Sequence, residues 1–66
     1  MELVAFTRTP AGLFKVYDHG TDWQIIGPNY ERWCSVWTND RAASLKRAVA
    51  LIPKPTRITY TKDITK

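Results

Sequence analysis

One stretch limits the fold more than any other. Ala42, Leu45, Ala48, Val49 and Ile52 recur at spacings of three and four, and Pro53 and Pro55 follow at once. Apolar residues spaced this way form one stripe along an α-helix. The prolines stop it, and Ile52 is pushed out of helical geometry because it precedes one of them. Thr38 or Asn39 is the expected N-cap, with the acid of Asp40 in the first turn where the helix dipole favours it. A helix of about twelve residues is roughly 18 Å long. It can cover one face of three or four strands, and the other face must be solvated or used.

The rest of the chain reads as strands. Glu2 to Thr9 is a first strand centred on Leu3-Val4-Ala5-Phe6, ended by the turn signal Pro10-Ala11-Gly12. Leu13 to Tyr17 alternates as a second, and Asp18-His19-Gly20-Thr21-Asp22 supplies the turn chemistry of a hairpin loop. Trp23 to Ile26 is a short third strand, closed by Gly27-Pro28-Asn29. Arg32 to Trp37 is a fourth, rich in the aromatic and β-branched residues that pleated sheets favour. A last strand, Arg57 to Thr61, follows the helix. The expected fold is therefore α+β: a small antiparallel sheet of four to five strands in the order β-β-β-β-α-β, with one helix packed on one face.

The 66 residues make one domain, residues 1–66, because so short a chain builds only one core. Folding at this size buries only about 60% of the surface of the unfolded chain. A disulfide within the chain is excluded by the single Cys34. A structural zinc site would have only Cys34 and His19 as soft ligands where four are usual, so neither metal nor cofactor is expected. Stability must come from apolar burial, to which Phe6, Phe14, Tyr17, Trp23, Tyr30, Trp33, Trp37 and Tyr60 can contribute about 150–250 Å² each. A homodimer would add to it. Met1 followed directly by foldable sequence, with no basic leader and no long apolar run, suggests a complete small open reading frame, no membrane association and a reducing, cytoplasmic setting.

Charge is the first feature with functional content. The net charge is +4. From Arg41 onward seven basic residues (Arg41, Lys46, Arg47, Lys54, Arg57, Lys62, Lys66) face the single acid Asp63, giving +6. The preceding part holds three basic residues and five acids, giving −2. Such asymmetry marks a surface that meets phosphate or an acidic protein, or simply the solvated charge that a small protein carries.

Strand alternation then assigns faces. Phe14 with Val16, and Cys34 with Val36, make compact core pairs; Ile58 and Tyr60 face the helix. The open face then carries Lys15, Tyr17, Trp33, Trp37 and Arg57, aromatic rings interleaved with basic groups, the platform on which unpaired bases stack. Arg41, Lys46, Arg47 and Lys54 form a flanking basic patch, partly on the helix back. The opposite register instead places Trp33 and Trp37 under the helix, since a slip of one residue inverts every face. No catalytic arrangement is apparent. His19 and the carboxylates Asp18 and Asp22 sit in one predicted turn, Cys34 lies in an apolar strand, and Gly12, Gly20 and Gly27 are scattered. The expectation is a non-enzymatic binding protein.

Three strands followed by a helix over Gly12 to Leu51, with Trp23-x-Ile25, Arg32-Trp33 and Ala42-Ala43 leading into Leu45 and Ala48, resemble the plan of AP2-type and phage-integrase arm-binding domains, which lay the sheet in the DNA major groove. The chain departs from that plan by an extra strand on each side and by lacking a row of arginines on the sheet. In size and style it is also similar to the short inhibitors, anti-CRISPR proteins and polymerase inhibitors among them, with which phages and mobile elements block host complexes that handle nucleic acid. Contact with nucleic acid, an inhibitor's hold on such a complex, and a structural homodimer module are the three functions these features admit.

Overall fold

The computed structural model describes residues 2–37 and 40–61, of which 33–37 by their backbone. The elements are β1 (Glu2–Thr9), β2 (Gly12–Asp18), β3 (Asp22–Ile26), β4 (Arg32–Trp37), α1 (Arg41–Ala50) and β5 (Thr59–Tyr60). They form an antiparallel sheet in the order β4-β3-β2-β1-β5, with α1 as the single helix among the described residues. This is the expected α+β architecture. No helix among the described residues is long and apolar enough to cross a membrane.

The first three strands run as hairpins because the turns between them are locally determined. The β1–β2 loop is Pro10-Ala11, closed by the pairing of Thr9 with Gly12. Thr9 Oγ1 accepts the Ala11 N–H at 3.1 Å. Gly12 has φ +132, and a Cβ there would stand 2.8 Å from Cβ of Pro28. Only glycine fits, because both the backbone conformation and the close approach of the β3–β4 loop demand it. In the β2–β3 loop Asp18 Oδ1 accepts the Gly20 N–H at 2.8 Å, and His19 Nδ1 meets Asp22 Oδ1 at 3.1 Å. The two aspartates act as turn residues, as their position suggests.

The helix begins one residue later than expected. Asp40, in extended geometry, is the N-cap, and its carboxylate accepts the Ala43 N–H at 3.2 Å. It therefore satisfies an orphan donor itself and is not a first-turn acid. Thr38 and Asn39 lie outside the described residues. The helix ends in tightened turns, with Leu51 N–H bonded to Ala48 O and Ile52 N–H to Val49 O. Ile52 is outside the helix yet buried, as its place before Pro53 requires.

The core lies between α1, the segment that follows it, and one sheet face. Val4, Ala5, Phe14, Val16, Trp23 and Ile25 from the sheet pack with Leu45, Ala48, Val49 and Ile52. Leu45, Ala48, Val49 and Ile52 of the helical stripe and the Phe14–Val16 pair are thus core, as helical period and strand alternation predict, while Ala42 is half-buried. Val4 and Ala5 are both buried because the β1–β2 register shifts between Leu3 and Ala5. The last strand is shorter than expected, two residues in place of Arg57 to Thr61. Thr56 N–H still donates to Arg8 O, and Thr61 N–H to Val4 O, so the segment lies along the β1 edge. Ile58 packs against the core, but Tyr60, paired with Ala5 at the outer margin of the sheet, is 48% exposed. The expectation that Tyr60 faces the helix is corrected on that point: it shares the helix side of the sheet but lies beyond the helix's cover.

Candidate nucleic-acid interface

The helix is fixed to the sheet by one polar chain. Trp23 is fully buried, and its Nε1–H donates to Ser44 Oγ at 2.8 Å. The Ser44 hydroxyl in turn donates to Arg41 O at 3.2 Å. The Arg41 guanidinium lies 4.5 Å from the Trp23 ring centroid and donates to Asp18 Oδ2 at 2.5 Å. Arg41 is therefore held by the β2–β3 hairpin and the indole beneath it, and is not a free member of a basic patch.

That arrangement fixes which sheet face is uncovered. Trp23 shares its side with Asp18, Val16 and Ile25, so their neighbours in sequence point the other way. The register then builds a row across all five strands on the open side: Thr59 pairs with Phe6, Phe6 with Lys15, Lys15 with Ile26, and Ile26 with Arg32. The next positions along the strands add the pairs Arg8–Leu13 and Tyr17–Gln24. No described element packs on this face. Phe6, Leu13, Lys15, Tyr17 and Ile26 are half-buried and Gln24 is buried, while Arg8 and Arg32 are exposed. Adjacent strands lie about 4.8 Å apart, so Lys15 and Arg32 stand roughly 10 Å from each other.

The β3–β4 loop adds an aromatic ring. Tyr30 N–H donates to Gly27 O and Gly27 N–H to Glu31 O, which folds the loop back on itself. Tyr30 has φ +64, a left-handed conformation that costs a residue with a Cβ roughly 1–2 kcal/mol. Its ring buys no core for that strain, since Tyr30 is 83% exposed. Lys15 Nζ lies 6.0 Å from the ring centroid.

Of the residues singled out from the sequence, Lys15 and Tyr17 come together on the open face. Arg57 is exposed in the segment beside β1, near Arg8. Lys46 and Arg47 are exposed on α1, on the opposite side of the sheet, and Lys54 is exposed in a left-handed turn after the helix. Of the described side chains among them, Lys15 and Tyr17 lie on the open face and Lys46 and Arg47 on the far side. The side chains of Trp33 and Trp37 lie outside the described residues; the backbone pairs Trp37 with Asp22, and the β3–β4 register shifts at Trp33. Sequence reading missed Phe6, Arg8, Tyr30 and Arg32. Alternation in β1 could have found the first two; nothing in the residue pattern announces the left-handed Tyr30.

Among the described residues, the ion pairs are Arg41–Asp18 and the His19–Asp22 contact, and none involves Arg8, Lys15, Arg32, Lys46 or Arg47. No three His, Cys, Asp or Glu residues come together there as metal ligands would. Comparison with known proteins finds no matching family model, curated protein or solved structure.

Proposed function

We propose that the protein is a non-enzymatic binding protein that contacts nucleic acid through the open face of its sheet. The observation that carries this reading is the placement of Arg8, Lys15 and Arg32, none of them in an ion pair among the described residues, beside the half-buried Phe6, Tyr17 and Ile26. Cations with no carboxylate partner among the described residues are available to phosphates, and their apolar neighbours lower the local dielectric, so each contact is worth more than one on a fully solvated surface. Lys46 and Arg47 on the far side supply long-range attraction to the same polyanion.

The test is fluorescence anisotropy of labelled oligonucleotides, single-stranded and duplex, over a range of salt. Three phosphate contacts give a slope of log affinity against log salt of about −2 for a single strand and near −3 for a duplex. Lys15→Glu with Arg32→Glu is expected to weaken binding at least tenfold and flatten that slope; circular dichroism checks that the fold is kept. Lys46→Glu with Arg47→Glu is expected to do less at physiological salt. A wild-type protein that binds neither form at low salt overturns the reading, and the open face is then a docking surface for a protein.

A further inference from the structure

We propose that the ligand of the sheet face is single-stranded, with one unpaired base stacked on the Tyr30 ring beside Lys15. This rests on the nucleic-acid reading above and narrows it to a substrate class. Two observations point the same way. The first is Tyr30 itself. Its backbone is held left-handed, which tyrosine disfavours, yet the residue is 83% exposed and contributes little to the core. Strain that the fold does not need for packing is characteristic of a functional position. A solvent-facing ring is useful to a base with a free π-face, and a base paired inside a duplex offers only its edges. Lys15, 6.0 Å from the ring centroid, can meet the phosphate of the nucleotide whose base stacks there.

The second observation is the width of the sheet. Five strands at about 4.8 Å make a face roughly 19 Å across, whereas the major groove of B-DNA is about 12 Å wide and takes a helix or a two-stranded ribbon. The open face is therefore too broad to enter the groove as a unit. It suits a single strand laid across it, with the backbone passing Arg8, Lys15 and Arg32 in turn.

The experiment compares a short oligo(dT) with a mixed-sequence duplex of the same length, using the wild-type protein, Tyr30→Asn and Tyr30→Phe. Asparagine tolerates the left-handed backbone and removes the ring; phenylalanine keeps the ring. The expected result is that the wild type prefers the single strand tenfold or more. Tyr30→Asn should weaken single-strand binding roughly tenfold while leaving duplex binding unchanged, and Tyr30→Phe should bind like wild type. Duplex binding equal to or tighter than single-strand binding overturns the proposal, as does a Tyr30→Asn protein indistinguishable from wild type. If the Lys15→Glu, Arg32→Glu protein is still impaired in either case, the sheet face remains a nucleic-acid surface and only the stacking inference fails. Binding of neither form removes both.

Discussion

Replacing Ser44 by alanine tests whether the chain from Trp23 to Asp18 holds the helix in place. Ser44 and Trp23 are both fully buried, and the indole N–H donates to the serine hydroxyl at 2.8 Å. Ser44→Ala removes the acceptor and leaves a space about one oxygen atom in size, too small for a water molecule to replace it. A buried donor left unsatisfied costs about 1–3 kcal/mol. Alanine returns up to roughly 0.7 kcal/mol through its better helix propensity. The net loss is then about 1–2 kcal/mol, against a total stability for a chain of this length of roughly 3–10 kcal/mol. Thermal unfolding followed by circular dichroism should show a Tm lower by about 5–15 °C. The control is the same substitution in a Trp23→Phe background, where no N–H is orphaned and Ser44→Ala should be neutral or slightly stabilising. An equal effect in both backgrounds would show that the hydrogen bond does not couple helix to sheet, and the account of how the open face is fixed would be wrong.

Two further outcomes test other joints of the fold. Gly12→Ala meets both a φ of +132 and a Cβ contact of 2.8 Å with Pro28, so it should lose at least about 2 kcal/mol, read as a lower urea midpoint with an unchanged slope. Because the clash is with the loop that bears Tyr30, the same variant should also weaken oligonucleotide binding. Asp40→Ala removes the N-cap bond to Ala43 N–H and should cost about 1 kcal/mol in the same assay, with little effect on binding, since the cap lies outside the open face.

The parts of the fold that were legible in the sequence are those set by period and by turn chemistry. The Phe14–Val16 pair and the Leu45, Ala48, Val49, Ile52 stripe are periodic, and each is buried where the period places it. The departures have local causes that periodicity does not carry. Thr38, Asn39 and Asp40 are all capping types, and only the geometry singles out Asp40. Alternation from Cys34 and Val36 would put Arg32 on the helix side. The register shift between Ile25 and Ile26 instead pairs Arg32 with Ile26 on the open face, because a bulge inverts the parity of everything beyond it. Arg41 read as a free cation because the sequence does not show that Trp23 and Asp18 meet it. Tyr30 owes its place to one backbone angle, which no side-chain pattern encodes.

The division of charge between the two faces decides how the protein's net +4 can act. Lys46 and Arg47 are exposed on a helix about 10–12 Å across with its side chains, and the sheet adds its own thickness, so they stand on the order of 15 Å from a ligand on the open face. At 0.15 M ionic strength the Debye length is about 8 Å, and attraction across two such lengths is largely screened; at 0.01 M it is about 30 Å and the helix charges are fully felt. Reversing Lys46 and Arg47 should therefore weaken oligonucleotide binding at low salt and lose its effect as salt rises to the physiological range. Reversing Lys15 and Arg32 should matter throughout, because in the proposed binding mode those cations touch the phosphates. Two charge pairs equal in number would then differ in salt dependence for one reason, the sheet that separates them. A helix-face reversal that stayed as damaging at 0.15 M would mean that the ligand wraps the molecule or binds the helix directly.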